Sequence, residues 1–313
     1  MTARSLLLSL ALVACGDDAM LGPDAAVDVD GSADGPVQPI CLDRATYPMS
    51  IQAGAFPPSP DHPNVIVYVP QGFDASAPID VVVFVHGFNN CITDVLGDDN
   101  IACTSGGPIR NAYQLATQLE ASGKNALLVL PEVAYDQATG NPGALGTAGG
   151  FRALLEETLA NLPAPLGPLA LSQIGKVIVS VHSGGYAAVA PMITMGDVRT
   201  DEVWLFDALY GYTTSFEAWM MSDLASFAQR TRRFGDVYTS GGGTLANSQA
   251  MADAVAMWVD ASTIVDDRTT ATWPDATYQH GMLFKASALS HDDVPRYYFE
   301  RFLSTSQLGP RCQ

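Results

Sequence analysis

Apolar positions along the chain follow two rhythms. Nearly unbroken apolar runs, rich in β-branched residues, cover 64–69 (NVIVYV), 79–85 (IDVVVFV), 126–130 (ALLVL), 177–179 (VIV) and 203–206 (VWLF), and 236–240 (DVYTS) reads as a further strand. Such runs mark strands buried on both faces of a sheet. Between them the apolar spacing becomes helical. Ile109, Ala112, Leu115 and Leu119 predict a helix over 108–122 that Gly123 stops, and Phe151, Leu154, Leu155, Leu159 and Leu162 predict one over 151–162 that Pro163 ends. Phe216, Met220, Leu224 and Phe227 predict a helix over 216–230, whose Met and aromatic stripe is either core or the wall of an acyl pocket. Residues 250–259 read as another helix, and the chain closes with a strand, a loop holding His291 and a helix over 295–303. This alternation predicts an α/β fold, a mostly parallel, doubly wound sheet flanked by helices. No internal repeat is present, and no insertion is long enough for a large cap domain.

The N-terminal stretch breaks the pattern. Residues 1–14 carry one arginine, Arg4, and then the run LLLSLALVA before Cys15. That run is too short to span a bilayer and reads as an export signal. Residues 16–39 are mostly Asp, Ala, Gly and Pro without a sustained apolar period, and read as a disordered acidic tether. Its Asp28-Val29-Asp30-Gly31 lacks the rest of a calcium loop. The expected parts are therefore a leader over 1–14, a tether over 15–40 and one domain over 41–313. A net charge of −18 weighs against nucleic acid as a partner and favours solubility. Leu12-Val13-Ala14-Cys15 resembles the lipobox of bacterial lipoproteins, which implies a lipidated Cys15, a membrane anchor and a place in the bacterial envelope, at the outer membrane or cell surface. The alternative is an ordinary signal peptide cut near Ala14. With Cys15 lipidated, Cys41, Cys91, Cys103 and Cys312 remain, an even set suited to an oxidising compartment. The pairing expected is Cys91–Cys103, closing a short loop, and Cys41–Cys312, tying the domain's ends; free buried thiols are the alternative. Their spacing does not suit a structural zinc site.

Candidate chemistry centres on 176–188 (KVIVSVHSGGYAA), where a buried strand stops at Ser183 and Gly184-Gly185 lead into a small-residue segment. A serine on such a sharp turn holds its hydroxyl above the sheet, and the crowded turn needs small neighbours. The hydroxyl is a poor nucleophile unless a histidine takes its proton and a carboxylate holds that histidine in the right tautomer. Asp207 and His291 follow in that order, each near the end of an expected strand. The turn resembles the nucleophile elbow of the α/β-hydrolases, G-x-S-x-G, with Val181 in place of the first glycine. The progression from 64 to 90, with VYVPQGFD and then VVVFVHG, is similar to the opening of secreted esterases of that superfamily.

The resemblance covers about 64–305. It implies a triad of Ser183, His291 and Asp207, with an oxyanion hole from the backbone N–H groups of Gly184 and Phe88. It also implies a carboxylic-ester hydrolase. An amidase or peptidase, and a non-catalytic binding protein on the same scaffold, are the alternatives. No cofactor and no metal are implied, and the expected partners are a small ester or acyl substrate and, through Cys15, a membrane. His280 is the fallback base. Asp236, Asp266 and Glu132 are the other carboxylates, because the strand that often carries the family's acid runs here into GGGTLANSQ. His62 and His86 precede the serine, His86 as a structural loop residue, and His182 is expected to point away from the elbow.

Overall fold

The structure is a computed structural model that describes residues 39–59, 62–138, 140–272 and 274–312. The expected leader, Cys15 and nearly all of the acidic tether lie outside the described residues. Within them, no helix is long and apolar enough to cross a membrane.

The apolar runs become the centre of a nine-stranded sheet. Two short strands, β1 (Cys41–Leu42) and β4 (Phe73–Asp74), pair apart from it. The sheet contains β2 (Ala45–Met49), β3 (Val65–Val69), β5 (Ile79–Val85), β6 (Leu127–Pro131), β7 (Ile174–His182), β8 (Glu202–Phe206), β9 (Arg233–Thr239), β10 (Ile264–Asp267) and β11 (Met282–Ser287). Their order is β10-β11-β9-β8-β7-β5-β6-β3-β2, parallel from β10 to β6 and antiparallel at β3 and β2. Because successive side chains face opposite ways, β5 sends Val81, Val83 and Val85 into one core and Val82 and Phe84 into another. The first core is covered by α3 (Gly150–Ala160), α4 (Tyr186–Met195), α5 (Thr213–Met221), α6 (Leu224–Ala228) and α7 (Leu245–Val255). The second lies under α1 (Ile92–Leu96), α2 (Leu115–Ser122) and α8 (Asp293–Thr305). Both faces of the central strands are therefore dry, which is why their sequences are mostly apolar.

Several element boundaries differ from the sequence expectation. The helix over 108–122 is reduced to α2, because Gln114 takes a left-handed φ of 58° and breaks any helix before Leu115. The helix over 216–230 is two. Asp223 interrupts it and caps α6 with a side chain that accepts from Ser226 N–H. The helix over 250–259 starts earlier and stops earlier, as α7. Strands β2 and β10 had no apolar run to announce them: they are the outermost strands, only partly buried, and β2 carries Pro48, a residue suited to an edge.

The disulfides Cys41–Cys312 and Cys91–Cys103 are both present, with Cα–Cα distances of 5.9 and 5.7 Å. The chain passes from β5 to β6 on one side and returns to β7 on the other, so the strand order reverses between β5 and β7. In an open α/β sheet that reversal opens a crevice at the strands' C-terminal ends. Gly87, Ser183, Asp207 and His291 all lie in the loops at that edge.

Candidate active site

Strand β7 gives way to a single tight turn, Ser183–Gly185, that runs directly into α4. Ser183 sits at φ 53°, in the left-handed region that costs a residue with a side chain. Two glycines make this possible. A Cβ on Gly87 would lie 2.6 Å from the Ser183 Cβ, so the loop after β5 reaches the serine only because it carries none. A Cβ on Gly185 would lie 2.8 Å from Val181 Cγ2. With glycine there the valine branch fits, and the turn keeps its shape although Val181 replaces the first glycine of the usual motif.

His291 lies in the loop between β11 and α8, and its Nε2 is 2.8 Å from Ser183 Oγ. Its Nδ1 is 2.6 Å from Asp207 Oδ2. Asp207, just past β8, is fully buried with φ 47°. Its oxygens accept from Thr239 N–H at 3.0 Å, from Thr239 Oγ1 at 2.7 Å and from Thr244 Oγ1. Burial alone would push this carboxyl up. The hydrogen bonds from His291, Thr244 and Thr239 outweigh it and hold the carboxyl below its ordinary range. Asp207 is thus kept ionised and aimed at Nδ1, which leaves Nε2 free to accept the serine proton. Thr244 comes from GGGTLANSQ, the stretch that offers no acid of its own; it supplies a donor to the acid instead.

The loop after β5 is fixed beside the serine. Asn89 N–H donates to Tyr135 O at 2.6 Å and Asn90 N–H to Gly87 O at 3.3 Å. Phe88 is 39% exposed in this loop, whereas Gly184, behind the serine, is buried.

The other candidates lie elsewhere. Glu132 Oε1 is 2.9 Å from Nε2 of the buried His86, and Glu132 Oε2 accepts from Ile92 N–H at 3.1 Å, so this carboxylate serves the β5 loop rather than His291. Asp266 pairs with Arg268. Asp236 is buried in the middle of β9, and neither oxygen has a partner at full hydrogen-bond distance. His280 Nδ1 lies 3.3 Å from Ser262 O, and His62 lines a cavity described below. His182 does point away from the elbow: its Nδ1 is 2.6 Å from the Tyr113 hydroxyl and its Nε2 3.1 Å from His291 O. Tyr113 carries no signal in the sequence, since 69 residues separate it from His182.

Among the described residues, His182, His291 and Asp292 bring potential metal ligands within 4.8 Å of one another. Hydrogen bonds already engage every ring nitrogen of the two histidines. Cys91, Asp94 and Cys103 form the other such group, and there the sulfurs are joined in a disulfide.

The chain aligns with the feruloyl esterase module of Clostridium thermocellum, solved as an S954A mutant with sinapinate, at a TM-score of 0.52 and 13% identity, covering 84% of this chain and 86% of that one. The chain has the α/β-hydrolase fold. A protein described as FAE aligns at a TM-score of 0.51 with 11% identity over 85% of this chain and 89% of its own. An S-formylglutathione hydrolase from Agrobacterium tumefaciens aligns at 0.45 with 12% identity, covering 78% and 90%. No protein-family model matches the sequence, and neither does any curated protein compared with it by sequence. Within this hydrolase fold a cavity of about 510 Å³ opens on the Tyr135 side of the β5 loop, lined by Phe56, Ile92, the Cys91–Cys103 disulfide and Glu132 among others. Ser183, Asp207 and His291 do not line it.

Proposed function

We propose that this protein is a serine hydrolase that cleaves carboxylic esters by a Ser183–His291–Asp207 triad. The observation that carries the reading is the unbroken line from Ser183 Oγ through His291 to a buried, ionised Asp207, at 2.8 and 2.6 Å. In the proposed sequence Ser183 Oγ attacks the ester carbonyl while His291 Nε2 takes its proton. Asp207 holds the Nδ1–H tautomer and stabilises the imidazolium. The carbonyl oxygen becomes an oxyanion met by the N–H groups of Gly184 and Phe88. His291 returns the proton to the leaving alcohol, and a water activated in the same way releases the acid from the acyl-enzyme. The fold shared with a feruloyl esterase module supports esters ahead of amides.

We place the protein in the bacterial envelope, lipid-anchored through Cys15. The export-like leader and the two disulfides, which belong to an oxidising compartment, support that placement. The experiment is to label the purified soluble domain with a fluorophosphonate probe and to assay short and long nitrophenyl esters, comparing wild type with Ser183→Ala and His291→Ala. Labelling and turnover lost in both variants is the expected result. Labelling that survives Ser183→Ala would assign the nucleophile elsewhere. A folded wild type that neither labels nor turns over would favour the binding-protein alternative.

A further inference from the structure

His182 and Tyr113 take no part in the steps above, yet they belong to a continuous buried polar chain. Asp94, Asn90, Tyr113 and His182 are exposed by 0, 2, 0 and 1%. The Asn90 amide lies 2.8 Å from Asp94 Oδ2 and, at its other end, 2.8 Å from the Tyr113 hydroxyl. That hydroxyl is 2.6 Å from His182 Nδ1, and His182 Nε2 is 3.1 Å from the backbone carbonyl oxygen of His291. Asp94 also accepts from Cys91 N–H at 2.8 Å. One end of the chain therefore grips the loop that carries Phe88, and the other grips the backbone of His291. Four buried polar side chains are a costly way to fill a core that leucine and phenylalanine would fill, unless their hydrogen bonds fix something.

We infer that His182 is a positioning residue: with Tyr113, Asn90 and Asp94 it locks the carbonyl of His291 and the Phe88 loop into one arrangement, so that proton acceptor and oxyanion donors are set together around Ser183. This rests on the hydrolase reading above.

The chemistry of the links fixes where their protons sit. The link to His291 needs a proton on Nε2, because a carbonyl oxygen only accepts. Burial pushes the His182 imidazole well below its ordinary value and keeps it neutral, so Nδ1 accepts from Tyr113. The Asn90 NH2 donates to Asp94 Oδ2 and the Asn90 oxygen accepts from the Tyr113 hydroxyl, whose single proton is shared between Asn90 Oδ1 and His182 Nδ1. A carboxamide keeps one of the two acceptor oxygens that Asp94 uses, and the Nε2–H of histidine is closely mimicked by the amide of glutamine.

The test uses the soluble domain with esters and with hydrogen–deuterium exchange. His182→Phe keeps an aromatic ring and removes the donor. It should lower kcat by about 10- to 100-fold with KM changed by less than about threefold, the scale of one lost buried hydrogen bond. His182→Gln should recover most of that loss. Asp94→Asn should retain about tenfold more activity than Asp94→Leu. Exchange should accelerate in both 87–91 and 288–292 in His182→Phe and in Tyr113→Phe. Exchange needs no turnover, so it separates failure of this inference from failure of the hydrolase reading, which an unlabelled wild type would expose. Wild-type kcat in His182→Phe, a loss that glutamine does not rescue, or acceleration confined to one loop would each overturn the positioning role.

Discussion

Asp207 and Asp236 are both fully buried, one just past the end of β8 and the other on the adjacent strand β9, where it pairs with Leu205. Their surroundings drive them in opposite directions. Asp207 collects donors from Thr239, Thr244 and His291 and is held below the ordinary carboxylate range. Neither oxygen of Asp236 has a partner at full hydrogen-bond distance, and burial, opposed by a weak interaction with the Ser248 hydroxyl and reinforced by the negative charge of Asp207, pushes its carboxyl up to about 7. Position along the strand explains the contrast. In mid-strand the neighbouring N–H groups are committed to the ladder. At a strand's last residue they are free to turn towards a side chain, as the N–H of Thr239, which ends β9, does. A buried carboxylate stays ionised where such donors replace its water, and not merely where it is buried.

The contrast has its largest expected consequence in catalysis. Asp207→Asn keeps the shape but not the charge, and should lower kcat/KM by roughly 10³- to 10⁴-fold. Asp236→Asn should leave kcat/KM within about twofold, measured on the same ester. Equal losses in the two variants would erase the distinction drawn between them.

The second consequence is in stability, where the two groups have opposite signs. The Asp236 carboxyl binds its proton more tightly folded than unfolded, so between about pH 4 and pH 7 the folded state holds more protons and stability falls as pH rises. At pH 8 the strain is on the order of 4 kcal/mol. Urea unfolding should therefore show Asp236→Asn more stable than wild type at pH 8, with the gap closing towards pH 4. Asp207, whose carboxyl is depressed, contributes stability that is present above the unfolded value near pH 4 and is lost as pH falls through the folded one. A wild-type profile flat from pH 4 to 8, matched by Asp236→Asn, would remove Asp236 from the account.

A smaller effect sharpens the role of the donors. Thr244→Val removes one hydroxyl from Asp207 and should lower kcat/KM by about tenfold, the value of one hydrogen bond to a charged group. It should also shift the acid limb of the kcat/KM profile upward, because Asp207 then ionises less readily. An unmoved limb would mean that His291 and Thr239 alone keep the carboxylate charged.

How much of this was legible in the sequence depends on the range of the contact. The central strands announce themselves because both faces are dry, and Val81 to Val85 record that burial residue by residue. Ser183, Asp207 and His291 were nameable from chain order and a motif, and the structure brings them together. The edge strands β2 and β10 were silent because half-exposed strands need no apolar run. The break at Gln114 depends on a backbone angle that no periodicity encodes. Thr239 and Thr244, and the chain from Asp94 to His182, are ordinary polar residues until the fold sets them against partners far away in sequence, such as His291 O, 109 residues from His182.

The Cys41–Cys312 bridge joins residues 271 apart. Between those two cysteines the molecule is a covalent ring rather than a thread. A protease that cuts once, for instance at the exposed turn around Gly241, releases no fragment. It leaves one covalent molecule with new ends in that turn, its two pieces still joined through the Cys41–Cys312 sulfurs. Damage that would divide an open chain here only permutes it, and the sheet can keep its strand order until a second cut or a reductant arrives.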